Sequence, residues 1–244
     1  RSQLKLLVFK DLKKLIAIFM MAISPLSHAI TAKAWLVADE NGKIIQGENT
    51  KEVRAIASIT KLMTTMVVLD EKQNLNETIG KFTRGQLIQL AIVHSDNRAA
   101  KELCDNYPGG ERHCVKAMNR KAKSLGLMNT QFTDPTGLGV FNLSNAEELI
   151  KLVQEASKYT EIVEASKMSE VKVRLNRKWL IFRNTNPIIG KNHNVLVSKT
   201  GFINASGGCI VMLMDTDVGK RVVVVLGSRN THTRIPEAEF ISKM

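Results

Sequence analysis

Ala57-Ser58-Ile59-Thr60-Lys61-Leu62-Met63-Thr64 sets a hydroxyl and an ammonium three residues apart, which on a helix is one turn along the same face. Working outward, Leu62, Met63, Met66, Val67 and Leu69 are apolar on more than one face, so the spacing predicts a central, buried helix over 59–71 with Ser58 at its start. A serine at that place suits a nucleophile, because backbone N–H groups at a helix N-terminus face developing negative charge. Lysine is a poor base at its ordinary pKa of about 10.4. Burial and positive neighbours lower that value. Taken alone, Ser-x-x-Lys is a common pattern, and a capping serine beside a solvated lysine reads equally well.

Two further motifs follow in order: Ser95-Asp96-Asn97 between two predicted helices, and Lys199-Thr200-Gly201 at the end of a predicted strand. Order, spacing and context together make the signature set of penicillin-recognising serine acyltransferases.

The stretches ASITKLMT (57–64), HSDNRAA (94–100), YPGG (107–110), KAKSLG (121–126), DPTGL (134–138), RNTN (183–186) and SKTGF (198–202) resemble the low-molecular-mass penicillin-binding proteins. Within these, the chain is similar to the D-alanyl-D-alanine endopeptidase and carboxypeptidase family of the penicillin-binding protein 7 type, over nearly all of Ala32 to Met244. The resemblance implies an α/β penicillin-recognising domain, an antiparallel sheet flanked by helices with an all-helical subdomain across a cleft. It also implies that Ser58 attacks a D-Ala carbonyl, Lys61 takes its proton and Ser95 relays a proton to the leaving amine. Asn97 would hold the substrate amide, Lys199, Thr200 and Gly201 its terminal carboxylate, and the N–H groups of Ser58 and Phe202 the oxyanion. Lys199 would add the positive charge that keeps Lys61 neutral. The implied partners are peptidoglycan stem peptides, with β-lactams as covalent inhibitors. No metal or organic cofactor is implied.

Other conspicuous residues have structural readings. Asp96 shapes its loop, His94 packs locally, Asp134 belongs to a turn, Cys209 sits in a strand core, and the methionines fill the core. Cys104, Cys114 and Cys209 lack the spacing of a zinc site. Cys104 and Cys114 flank the turn 107–110, so a disulfide between them is sterically reasonable, and buried free thiols are the alternative.

Residues 32–38 and 43–46 read as an N-terminal hairpin, and 195–199, 208–214 and 221–227 as later strands. Between them lie predicted helices at 86–93, 98–107, 111–125 and 145–157, the last announced by Ser144 and Glu147 as a capping box. A closing helix is expected from Ile235 to Met244. Strands at both ends with helices between suggest a sheet whose edge strand comes from the N-terminus, with a helical insert beside it.

The composition is globular, 44% hydrophobic and 24% charged, which excludes extended disorder. Lys10, Lys13 and Lys14, the apolar run Leu15 to Ile23, and small residues at Ser27 and Ala29 follow a signal-peptide plan with cleavage after Ala29. The apolar run is shorter than the about 20 residues of a membrane span. The expected division is therefore 1–29 as signal peptide and 30–244 as an exported, periplasmic domain with at most peripheral membrane contact. Setting aside the five basic and one acidic residues before Ile30, the formal charge of +12 leaves +8 for the mature part. Such a charge fits an anionic partner. Export and 5% aromatics argue against nucleic acid and for carboxylate-bearing peptides.

The link Lys72 to Arg84 is shorter than in typical relatives, which puts one wall of the cleft, and with it substrate range, in question. The chain also lacks the β-rich stalk and membrane tail of the related carboxypeptidases, which suggests a free domain. The leading expectation is cross-link endopeptidase activity, with D-Ala carboxypeptidase activity as its near variant. A β-lactamase would need a deacylating glutamate near Gln131 to Asp134, and none is there. A non-enzymatic penicillin sensor or scaffold is the remaining class.

Overall fold

The structure, a computed structural model, describes residues 30–191 and 194–244; the expected signal segment lies outside them. Its centre is a five-stranded antiparallel sheet built from β1 (Ala34–Asp39), β2 (Ile44–Glu48) and three later strands. Three two-residue strands of the connecting segments come between: β3 (Arg54–Ala55), β4 (Thr78–Ile79) and β5 (Phe82–Thr83), then β6 (Leu143–Ser144) pairing back on β3. A separate hairpin follows, β7 (Glu170–Leu175) with β8 (Lys178–Arg183). The sheet is completed by β9 (Asn194–Ile203), β10 (Gly207–Thr216) and β11 (Gly219–Ser228), in the order β2-β1-β11-β10-β9. The N-terminal hairpin thus supplies one edge, as expected, and β9, which carries the Lys-Thr-Gly motif, is the other.

Both sheet faces are covered, which explains why β10 and β11 read as continuous apolar runs instead of alternating ones. Side chains on a strand point alternately to opposite faces. Val222, Val224 and Leu226 accordingly join the large helical core, while Val223 and Val225 join a smaller one with Trp35, Met212 and the C-terminal helix.

The helices are α1 (Thr60–Asp70), α2 (Arg84–Gln89), α3 (Asn97–Asp105), α4 (Gly110–Ser124), α5 (Ala146–Ala156), α6 (Thr160–Lys167) and α7 (Arg234–Ile241). Helix α1 is buried from Thr60 through Val68, as its all-round apolar sequence requires. Cys104 and Cys114 are bridged, Cα to Cα 5.4 Å, tying α3 to α4 across the turn.

Several expectations need correction. Ser58 lies in a single 3-10 turn, Ala57–Ile59, ahead of the α-helix. The predicted helix 86–93 divides into α2 and a π-turn, Leu90–His94. No capping box forms at Ser144: this residue pairs in β6, and Asn145 caps α5 by accepting from the Glu148 N–H, one position later. The capping box is instead Thr83 with Gln86 at the start of α2. The closing helix ends at Ile241.

Candidate active site

Lys61 is fully buried, and its Nζ donates to Ser58 Oγ at 2.7 Å, Asn97 Oδ1 at 2.8 Å and the Thr136 carbonyl at 2.6 Å. The first and second motifs therefore meet at one nitrogen. Burial lowers the Lys61 pKa to about 7 against the opposing pull of the Asp134 and Asp96 carboxylates. In the neutral amine, the two acceptor-only neighbours, Asn97 Oδ1 and the Thr136 carbonyl, take the two N–H groups. The lone pair is then left facing the Ser58 hydroxyl.

The third motif meets the second. Lys199, 1% exposed, donates from Nζ to Ser95 Oγ and to the Thr200 carbonyl, each at 2.8 Å. Its pKa is lowered well below the ordinary value by burial, then by the like charges of Lys61 and Arg234. Lys61 thus contributes to the lowering at Lys199, whereas the lowering at Lys61 comes from burial and not from the Lys199 charge that the resemblance led us to expect.

Local backbone explains these placements. The π-turn ends at Ser95, which adopts the left-handed conformation, φ 58°. A non-glycine residue there is held by its surroundings. Asp96 caps α3 by accepting from the Ala99 N–H at 2.8 Å, so Asn97 starts the helix facing α1. Its structural reading stands. Asp134 gathers the N–H groups of Thr136, Gly137 and Gly139 and the Thr136 hydroxyl, which bends the turn so that the Thr136 carbonyl reaches Lys61. His94 donates from Nδ1 to the Arg183 carbonyl at 3.0 Å and stands edge-on to Phe182.

Gly201 lies against the Ser58 turn: a Cβ there would stand 2.9 Å from Ser58 N. The Gly201 carbonyl accepts from Arg234 Nη1 at 2.6 Å. Across a trans peptide the Phe202 N–H points the opposite way, toward the edge of β9 that has no strand partner. The Phe202 side chain is exposed. Thr200 Oγ1 is 2.5 Å from Thr185 Oγ1. Of the eight residues singled out in sequence, Ser58, Lys61 and Asn97 are joined by hydrogen bonds, as are Ser95 and Lys199, while Thr200, Gly201 and Phe202 follow Lys199 along the edge strand, Gly201 lying against the Ser58 turn.

Sequence reasoning missed four contributors, the first being the Thr136 carbonyl on Lys61. Arg234 comes from α7, and nothing local marks it. Thr185 lies in the RNTN stretch, which offered the signal without a role. Asn142, fully buried, accepts from Thr133 and donates to Thr60 Oγ1 and the Asp134 carbonyl, and so locks the 134–139 turn onto α1.

Residues 20–79 and 73–230 match the peptidase S11 family, D-alanyl-D-alanine carboxypeptidase, the two segments overlapping over 73–79. The chain is 37% identical to the D-alanyl-D-alanine endopeptidase of Pseudomonas aeruginosa, over 88% of this chain and 77% of that protein. To that of Escherichia coli it is 36% identical, over 85% and 74%. A Streptomyces DD-transpeptidase shares the fold, with a TM-score of 0.81 at 23% identity over 88% of this chain and 97% of its own. A penicillin-binding protein of Listeria monocytogenes in its ampicillin-bound form superposes with a TM-score of 0.79 at 26% identity, over 89% and 98%. With the first two motifs meeting at the buried Lys61 amine, the third joined to the second through Lys199, and this match over most of its length, the chain belongs to the peptidase S11 family and is a serine-type D,D-peptidase.

Proposed function

We propose that this peptidase is a D-alanyl-D-alanine endopeptidase that opens the peptide cross-links of peptidoglycan through an acyl-enzyme on Ser58. The observation that carries the mechanism is the set of three partners around Lys61 Nζ, which leaves its lone pair for the Ser58 proton. Ser58 Oγ bonds to the D-Ala carbonyl carbon as its proton passes to Lys61. The oxyanion is held by the N–H groups of Ser58 and Phe202, fixed donors of the kind that stabilise developing charge without reorganising. The C–N bond then breaks, and the leaving amine takes a proton through Ser95, whose hydroxyl is hydrogen-bonded to Lys199. Water hydrolyses the ester, with Lys61 again the base, and restores Ser58.

Asn97 offers Nδ2 to the substrate amide while its Oδ1 stays on Lys61. Lys199, Thr200 and Gly201 frame the anionic end of the substrate, and an arriving carboxylate would offset the neighbouring charges of Lys199 and Arg234. β-Lactams would acylate Ser58 by the same attack and persist as adducts. Residues 1–29 act as a signal peptide removed after Ala29, and the domain from Ile30 onward works in the periplasm, a reading supported by the basic start and short apolar run. No helix among the described residues is long and apolar enough to cross a membrane.

The choice of endopeptidase over carboxypeptidase is supported by the two relatives of 36% and 37% identity. Digestion of purified cross-linked muropeptide dimers tests it: monomers are expected. Release of free D-alanine with the dimers left intact would assign the carboxypeptidase instead.

A further inference from the structure

The β7–β8 hairpin pairs in register as Glu170 with Arg183, Lys172 with Ile181 and Arg174 with Trp179 on one face. On the other face Val171 and Val173 enter the core, with Phe182 packed against it. The outer face is therefore built of residues with no core role. Trp179 is 63% and Ile181 55% exposed, each opposite a cation. Lys172 reaches Glu170 at 3.0 Å, whereas Arg174 and Arg183 make no ion pair among the described residues, and the turn adds Arg177 and Lys178. Cations on an edge guard against pairing with other chains, but that role calls for no exposed tryptophan beside them. Large apolar side chains clustered in water mark binding surfaces.

The base of the hairpin is tied to the residues around Ser95 and Thr200. The Arg183 carbonyl holds His94, the residue before Ser95, and two positions on Thr185 touches Thr200. From Arg183 to Trp179 the strand covers about 13 Å at its ordinary rise per residue. We infer that the outer face of the hairpin is a second binding surface, on which a carboxylate-bearing, sugar-containing strand of the wall polymer lies outside the peptide being cut. The inference rests on the D,D-peptidase reading above. Guanidinium groups pair with carboxylates in a forked geometry, and an indole face stacks on the C–H face of a sugar ring. The row of cations runs from Arg177 and Lys178 at the tip of the hairpin to Arg183 at its base, where the chain leads into Thr185 beside Thr200, which suits a strand laid along it; a bilayer would meet only the tip.

The test compares the mature protein with its Trp179→Ala and Arg174→Glu variants in three assays: co-sedimentation with purified insoluble peptidoglycan, cleavage of intact sacculi, and cleavage of soluble muropeptide dimers. Each variant is expected to bind and cleave the polymer about tenfold less well, with dimer cleavage and benzylpenicillin acylation within about twofold of the parent, tenfold being the effect of one good contact. Unchanged polymer binding in both variants, or equal losses on polymer and dimer, would overturn the surface. So would binding of the parent to anionic phospholipid vesicles, abolished by Trp179→Ala, without binding to the polymer. A parent that fails to cut dimers but binds the polymer through Trp179 would count against the endopeptidase reading and leave the surface standing.

Discussion

A Cβ on Gly137 would fall 1.9 Å from the carbonyl oxygen of Ala57, so the 134–139 turn and the turn that presents Ser58 are in backbone contact. Gly137 also has φ 84°, a conformation that costs an L side chain about 1–2 kcal/mol before any clash. Gly137→Ala is expected to destabilise the fold by about 2–4 kcal/mol in all and to slow acylation of Ser58. Thermal melting and the rate of benzylpenicillin adduct formation check both; a variant with parental rate and melting temperature would show that the contact does not position Ser58.

Burial brings the Lys61 pKa from its ordinary value down to about 7. A general base must be unprotonated, and a lowered lysine pKa means the neutral amine predominates above that value. Acylation is therefore expected to rise with pH through a midpoint near 7 and to level off above it. An exposed lysine would instead place the midpoint near 10, and stopped-flow acylation across pH 5 to about 10 distinguishes the two.

Asp134 acts on the same lysine at one remove. Its negative charge raises the Lys61 pKa, and its oxygens hold the turn whose carbonyl accepts from Nζ. Asp134→Asn keeps an acceptor toward Thr136 and Gly137 but removes the charge. The midpoint of the pH profile is expected to move down by up to about one unit, a shift that a merely structural loss would not produce.

The Cys104–Cys114 bridge closes a short loop between α3 and α4, well away from Ser58 in sequence. Closing such a loop stabilises by about 3 kcal/mol in the chain-entropy account. Reduction is expected to lower the melting temperature and leave the acylation rate of the folded protein unchanged. An intact mass of the mature chain two hydrogens below the fully reduced value registers the bridge itself.

Much of this was legible in the sequence because the chemistry sits in short motifs and the strands sit in apolar runs. Ser58, Lys61, Ser95, Asn97, Lys199 and Thr200 were all identifiable, and the edge position of the N-terminal hairpin followed from the order of elements. What local pattern could not reveal was tertiary. Arg234 meets Gly201 only because α7 packs against the sheet. Thr136 enters through its carbonyl, which no side-chain motif advertises. The β7–β8 hairpin has Val171 and Val173 inward and a mixed face outward, a pattern interrupted by the two positive-φ residues Asn176 and Arg177 where Gly would be the usual signal. The π-turn before Ser95 was read as plain helix because its residues, Leu90 to Val93, are apolar throughout and carry no breaker.

The central claim is that Ser58, activated by Lys61, is the residue that becomes acylated. Intact mass of the mature domain after incubation with benzylpenicillin, beside the same experiment on Ser58→Ala, tests it most directly. One adduct per chain in the parent and none in the variant is the predicted result; an adduct that persists in Ser58→Ala, or a parent that neither gains mass nor consumes the antibiotic, would contradict it.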